Sequence, residues 1–247
     1  MPIVKVKHED VLRAEDVKRM LEFLDALQIA GKSLLYAYKD KEGKEQTEEI
    51  TIHYSMVKAL VCILYLFGKR ISEVLALKRK DFWTKQGYFY VAFNVLKKKS
   101  RTELAAPQRK VKRVSVKASG TFALPIIDYV KGLTDMEMPL FPGRCHPHTK
   151  IIRIKDKQTG QIKKEYRYEF KREGLMSRVH AYKILKALNH EAYPHWFRHS
   201  LATELAEQGF TPHELKDWFD WSRYSTAVHY VEGMPSMTER ISKRKVA

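Results

Sequence analysis

His195-Trp196-Phe197-Arg198-His199-Ser200-Leu201-Ala202-Thr203 is the stretch on which the reading of this chain turns. It enters a predicted helix of about residues 197–208 that Gly209 ends. Thr211-Pro212-His213-Glu214 follows, a capping box with Pro at the first helical position and so a strong start signal for another helix. A last helix includes Thr226 to Val231, contains Tyr230 and stops near Gly233; upstream, Ser177 is read as the cap of a helix to Leu188. The second decisive stretch is Phe67-Gly68-Lys69-Arg70-Ile71-Ser72-Glu73-Val74-Leu75-Ala76-Leu77. It closes the longest apolar run, Met56 to Gly68, broken only by Lys58, which reads as a central helix capped by Ser55 and running to Phe67. Gly68 suits the turn that ends it, and Ser72 to Leu77 makes a further short helix.

Outward from these stretches, Ala14 to Leu27 carries Val17, Leu21, Leu24 and Leu27 on one stripe, with Glu15 and Asp16 in the first turn. The charged, Gly-containing segment Lys39 to Glu49 reads as a loop. Tyr88 to Leu96 reads as a strand, with Lys110 to Val116 able to pair with it across a basic stretch. Ile151 to Ile154 and Tyr166 to Phe170 flank Gln158-Thr159-Gly160 as a second hairpin. No internal repeat or linker divides the chain. The expected fold is mixed α/β and mainly helical: one domain with a small antiparallel β-sheet.

The 247 residues carry a net charge of +17, which creates a positive field suited to nucleic acid or an anionic membrane surface. The apolar run is too short to span a bilayer and the N-terminus has no signal-peptide core, so a cytoplasmic protein with no membrane partner is expected. Cys62 and Cys145 give no disulfide framework. Cys145-His146-Pro147-His148 lacks a second ligand pair at metal spacing, so neither a metal nor another cofactor is expected.

With Trp221 standing nine positions before Tyr230, the two stretches resemble the tyrosine recombinase (phage-integrase-like) family. The family pattern is Gly-x-Arg-(Ile/Val)-x-Glu-x-x-x-Leu, then His-x-x-Arg-His, then His or Trp nine positions before a nucleophilic Tyr. The resemblance runs from about Leu12 to Val231 and corresponds to the family's catalytic domain. It implies double-stranded DNA as partner, self-association on DNA as a dimer or tetramer, and strand cutting and rejoining through a 3′-phosphotyrosine. Tyr230 would be the nucleophile, Arg70 and Arg198 the phosphate clamp, His195 the proton helper, and Trp221 an indole N–H donor that also packs the nucleophile's helix.

The residue types suit that chemistry. Attack on a phosphodiester builds negative charge on the non-bridging oxygens, and planar guanidinium groups neutralise it bidentately without a metal. The family's leaving 5′-oxygen takes a proton from a hairpin lysine; Lys97, Lys98 and Lys99 all stand at that place, with Lys97, first past the strand, preferred. Lys69, Lys98, Lys99 and Arg101 are expected to contact DNA, and Glu73 and His199 to support the site. Lys69 and Phe67 depart from the apolar and small residues common around the first arginine. The family's preceding core-binding domain is expected to be absent, leaving a single catalytic domain over 1–247. A type IB topoisomerase, or a DNA-binding protein that keeps the fold without cutting, are the alternatives.

Overall fold

The computed structural model describes residues 11–95, 111–143, 147–155, 162–170 and 174–232. In chain order the elements begin with helix α1 (Ala14–Ala30), hairpin strands β1 (Leu34–Lys39) and β2 (Glu45–Ile50), helix α2 (Tyr54–Phe67) and short helix α3 (Ile71–Leu75). A 3-10 turn (Arg79–Asp81) leads into β3 (Phe82–Lys85), β4 (Tyr88–Asn94) and β5 (Val111–Lys117), followed by α4 (Leu124–Lys131). A second hairpin, β6 (Pro147–Lys155) and β7 (Ile162–Phe170), precedes four helices: α5 (Arg178–Leu188), α6 (Pro194–Glu207), α7 (Pro212–Trp218) and α8 (Tyr224–Val231).

Helix α2 is apolar around its whole circumference because it is packed on several sides. Val57, Ala59, Leu60, Val61, Cys62, Ile63, Leu64 and Phe67 are all fully buried, and α1, α4 and α6 pack against it. The three-stranded sheet β3-β4-β5 is antiparallel. Its alternating residues Phe89, Val91 and Phe93 face the same core. A second, smaller cluster joins Ala202, Ala206, Leu215, Phe219 and Ala227. Helix α6 belongs to both clusters, through Trp196 and Phe197 in one and Ala202 and Ala206 in the other. It therefore fixes α7 and α8 relative to α2.

Several local expectations change. Lys39 to Glu49 is not simply a loop: β1 and β2 pair antiparallel from Leu34↔Ile50 to Lys39↔Glu45. Leu34 and Ile50 are the buried residues there, with Tyr36 partly packed on the core, while β2 is polar and charged up to Ile50 and its composition mimics a loop. The turn is held by the Asp40 carboxylate, which accepts from the backbone N–H of Glu42 and Lys44, both at 3.0 Å. His53, not Ser55, is the N-cap of α2. Helix α3 starts at Ile71 with Arg70 as its N-cap. Strand β3 and helix α4 are additional. The caps at Ser177 and Thr211 form as expected, each accepting from the backbone N–H three residues on, at His180 and Glu214.

Gly68 ends α2 at φ +54°, in the left-handed region. A Cβ there would lie 2.9 Å from both Leu201 Cδ2 and Phe219 Cε1, atoms of α6 and of the turn after α7. Gly68→Ala therefore meets backbone strain and overpacking together. Its unfolding free energy in denaturant should fall by roughly 2–4 kcal/mol; a loss under about 0.5 kcal/mol would show that this crossing is not tightly set.

Candidate active site

Helix α7 ends in a left-handed turn. Asp220 has φ +50°, an uncommon conformation for any residue but Gly, Asn or Asp. The Trp221 N–H reaches back to the Lys216 carbonyl at 3.1 Å, closing the wide turn that commonly ends helices. The last carbonyls of a helix lack internal partners and carry the negative end of its dipole. Here four successive ones accept from four cations. Lys112 of β5 donates to the Asp217 carbonyl, Lys69 to that of Trp218 at 2.6 Å, Arg198 to that of Phe219, and Arg70 Nη2 to that of Asp220 at 3.4 Å. Three separate elements are thereby gathered around one turn.

The two arginines lie side by side there. Arg198, only 3% exposed, also donates to the Gly68 carbonyl at 2.9 Å and lies over the rings of Phe219 and Trp221. Burial first, and Arg70 second, push its pKa down to about 10, which leaves it charged at neutral pH. Arg70 is more open. Its backbone N–H and guanidinium are both held by the Glu73 carboxylate, at 3.1 and 3.0 Å, and Glu73 is 2% exposed. One buried carboxylate facing two guanidinium groups leaves a local positive excess. A cleft of about 320 Å³ opens beside them, lined by Arg70, His195, Arg198, Arg178, Tyr182 and Tyr193 among others. An anion such as a phosphate is the complementary ligand.

Trp221 and Tyr230 stack with ring centres 5.2 Å apart and planes within 8°. The spacing of nine residues works because a turn and two turns of α8 bring the second ring back over the first. The Tyr230 hydroxyl is hydrogen-bonded to His199 Nδ1. His199 in turn meets His195 edge to face at 4.5 Å. Burial, then the neighbouring His195 and Arg198, push the His199 pKa down to about 4, so its ring is neutral, and in the tautomer with its proton on Nε2 it accepts through Nδ1. Burial raises the Tyr230 phenol well above its ordinary value, with Arg198 opposing. The group touching the phenol is thus His199, assigned from sequence only a supporting part, while His195 lines the cleft.

Arg70, Glu73, His195, Arg198, His199, Trp221 and Tyr230 come together as anticipated. Lys97, Lys98, Lys99 and Arg101 lie outside the described residues. Lys69, expected to contact DNA, is turned inward and is 2% exposed. Arg178, Tyr182, Tyr193 and Asp220 were not singled out from sequence. Arg178 had one signal, its place immediately after the Ser177 cap; Asp220 had none, since Asp after a helix is commonplace. Among the described residues no group of three His, Cys, Asp or Glu side chains gathers to hold a metal ion.

The Phage integrase family profile matches residues 10–236. Solved structures similar to this chain include the XerH site-specific recombinase bound to its difH substrate in a pre-cleavage complex, with 16% identity and a TM-score of 0.51, covering 95% of this chain and 52% of that one. The XerA recombinase matches at 13% identity and TM-score 0.51 over 98% of this chain and 63% of that one. The Tn1549 transposon integrase in complex with circular intermediate DNA matches at 16% and 0.51 over 96% of this chain and 67% of that one. This chain thus spans between about half and two thirds of the length of those proteins. These likenesses show a shared fold, the tyrosine recombinase catalytic-domain fold. No curated protein matches in sequence. Among the described residues no helix is long and apolar enough to cross a membrane.

Both imidazoles are held toward the neutral form, His195 by burial and then by Arg198 and Arg70. Below pH about 6.5 the unfolded chain takes up protons that the folded chain resists, so stability falls as pH drops from there toward 4. His199→Gln should flatten that decline when thermal midpoints are compared from about pH 7 to about pH 4.5. An unchanged slope would mean that His199 is not held neutral by the fold.

Proposed function

The chain belongs to the phage integrase family, and from that premise we propose that it cuts and rejoins double-stranded DNA through a covalent 3′-phosphotyrosine at Tyr230, without a metal ion. The observation that carries the reading is the Tyr230 hydroxyl bonded to a neutral His199. Beside it, Arg198 lies 5.6 Å over the Trp221 ring on which Tyr230 stacks. XerH and the Tn1549 integrase, whose folds this chain shares, are described in complexes with DNA. The net charge of +17 suits the same polyanion.

The scissile phosphate sits in the cleft against Arg70 and Arg198, with His195 at its edge. Tyr230 oxygen attacks phosphorus as the phenolic proton passes to His199 Nδ1, which relieves the cost of ionising a buried phenol. The two guanidinium groups bear the charge that grows on the non-bridging oxygens. The P–O5′ bond breaks, leaving DNA joined to Tyr230 by its 3′-phosphate. The departing 5′-oxygen takes a proton from a lysine, for which we propose Lys97. Attack by a 5′-hydroxyl from another strand reverses the steps and restores the phenol. Exchange between duplexes requires at least two copies on DNA, and integration or excision of a mobile element is the biology this serves.

Randomly nicked duplex DNA from the source genome traps such an intermediate, because a short 5′-hydroxyl fragment between cut and nick diffuses away. After nuclease trimming, the peptide containing Tyr230 should carry a nucleotide phosphate by mass spectrometry, equally with and without EDTA. Tyr230→Phe should carry none while binding the DNA within a few-fold of the unaltered chain. An adduct on another residue, or one that forms only with magnesium, would contradict the mechanism.

A further inference from the structure

Lys69 stands directly before Arg70, where an apolar side chain would fill the same space. Its ammonium is 2% exposed. It donates to the Trp218 carbonyl at 2.6 Å and lies 3.7 Å from Asp220 Oδ2. The rings of Trp218 and Phe93 cover it at 5.3 and 6.0 Å. Asp220 also faces Lys112 at 3.8 Å, and Lys112 faces Asp217 at 3.6 Å. The charged groups around Lys69 are therefore Glu73 on α3, Arg198 on α6, Lys112 on β5 and Asp220 in the turn after α7. The strained Asp220 is the residue whose carbonyl receives Arg70 and whose neighbour is Trp221, the platform for Tyr230.

Fold stability does not account for this charge. Burial first, then Lys112, push the Lys69 pKa down to about 8, against the pull of Asp220. Between pH 8 and its ordinary value near 10.5 the unfolded chain binds this proton and the folded chain does not, so stability rises with pH across that window. Below pH 8 the charged form is a net cost to folding, as buried ion pairs often are against an apolar replacement. What the charge does supply is direction: an ammonium aimed at one carbonyl and one carboxylate selects a single arrangement of the turn.

We propose that Lys69 is a positioning residue, whose pairing with Asp220 and the Trp218 carbonyl holds the turn that sets Arg70, Trp221 and hence Tyr230 in register for attack. The proposal rests on Tyr230 as nucleophile. It gives the protein an alkaline limit: once Lys69 loses its proton, the turn loses its hold while the fold persists.

The test is single-turnover adduct formation at Tyr230 on the same nicked DNA, with DNA affinity and thermal midpoint measured in parallel. Lys69→Met keeps length and removes charge. At pH 7 its adduct rate should fall roughly 10- to 100-fold, the scale of a small misplacement, with affinity within about 3-fold and a midpoint no lower than that of the unaltered chain. The unaltered chain should lose rate as pH rises through about 8; Lys69→Met should show no such limb. Asp220→Asn tolerates the turn's conformation but withdraws the support for the lysine's charge, so its limb should move to lower pH. This variant decides the matter alone if Lys69→Met does not fold. A normal rate in folded Lys69→Met, or an unmoved limb in Asp220→Asn, overturns the proposal. No adduct with the unaltered chain at any pH would instead overturn the reading of Tyr230.

Discussion

The end of α7 meets four cations, and the active-site arrangement depends on that meeting. The carbonyls of Asp217, Trp218, Phe219 and Asp220 accept from Lys112, Lys69, Arg198 and Arg70 in that order. A helix end left bare in a partly buried place would carry unsatisfied acceptors; here those acceptors organise the site. The four donors come from three parts of the fold: Lys112 from β5, Lys69 and Arg70 from the link between α2 and α3, and Arg198 from α6. The guanidinium groups are thus fixed before any substrate arrives, so little reorganisation is left for the reaction itself.

Like charges crowded together repel, and the fold tolerates this by arranging compensation on one side only. Glu73 and Asp220 are buried behind the cations, and the rings of Phe219 and Trp221 lie under Arg198. The front, facing the cleft, is left positive. One aromatic ring joins the two halves of the site: Trp221 is under Arg198 and also stacked against Tyr230. In the proposed mechanism a phosphate held by the arginines lies next to the phenol, where its charge would favour protonation of the neighbouring imidazole.

Much of this arrangement was legible from residue order. The apolar run of α2 and the Thr211 capping box rest on local rules, and the nine-residue interval from Trp221 to Tyr230 on the family resemblance; the structure forms both elements and stacks the two rings. The β1–β2 hairpin was not legible, because few of its residues face the core and the turn and β2 have the charged composition of a loop. The burial of Lys69 and the partner of His199 were not legible for a different reason. A lysine beside Arg70 reads as surface charge unless a carboxylate 151 positions away is known to meet it. The contact between His199 and Tyr230 likewise depends on how α8 crosses α6, which neither helix's own sequence declares. Partnerships made across the fold leave little trace in local pattern.

The central claim is that guanidinium charge, fixed by the α7 turn, offsets the charge that develops on the phosphate. The most direct measurement compares Arg70→Ala with the unaltered chain on DNA strands carrying an ordinary phosphodiester or an uncharged methylphosphonate at the cut. Arg70→Ala also deprives the buried Glu73 carboxylate of its guanidinium partner, a cost common to both substrates, so the comparison between the two isolates the charge at the phosphate. Losing such a group should slow cleavage of the phosphodiester by roughly 10²–10³-fold. On the methylphosphonate, where one non-bridging charge is absent, the penalty should shrink to a few-fold. Equal penalties on both substrates would contradict the account, because Arg70 would then be acting through something other than charge.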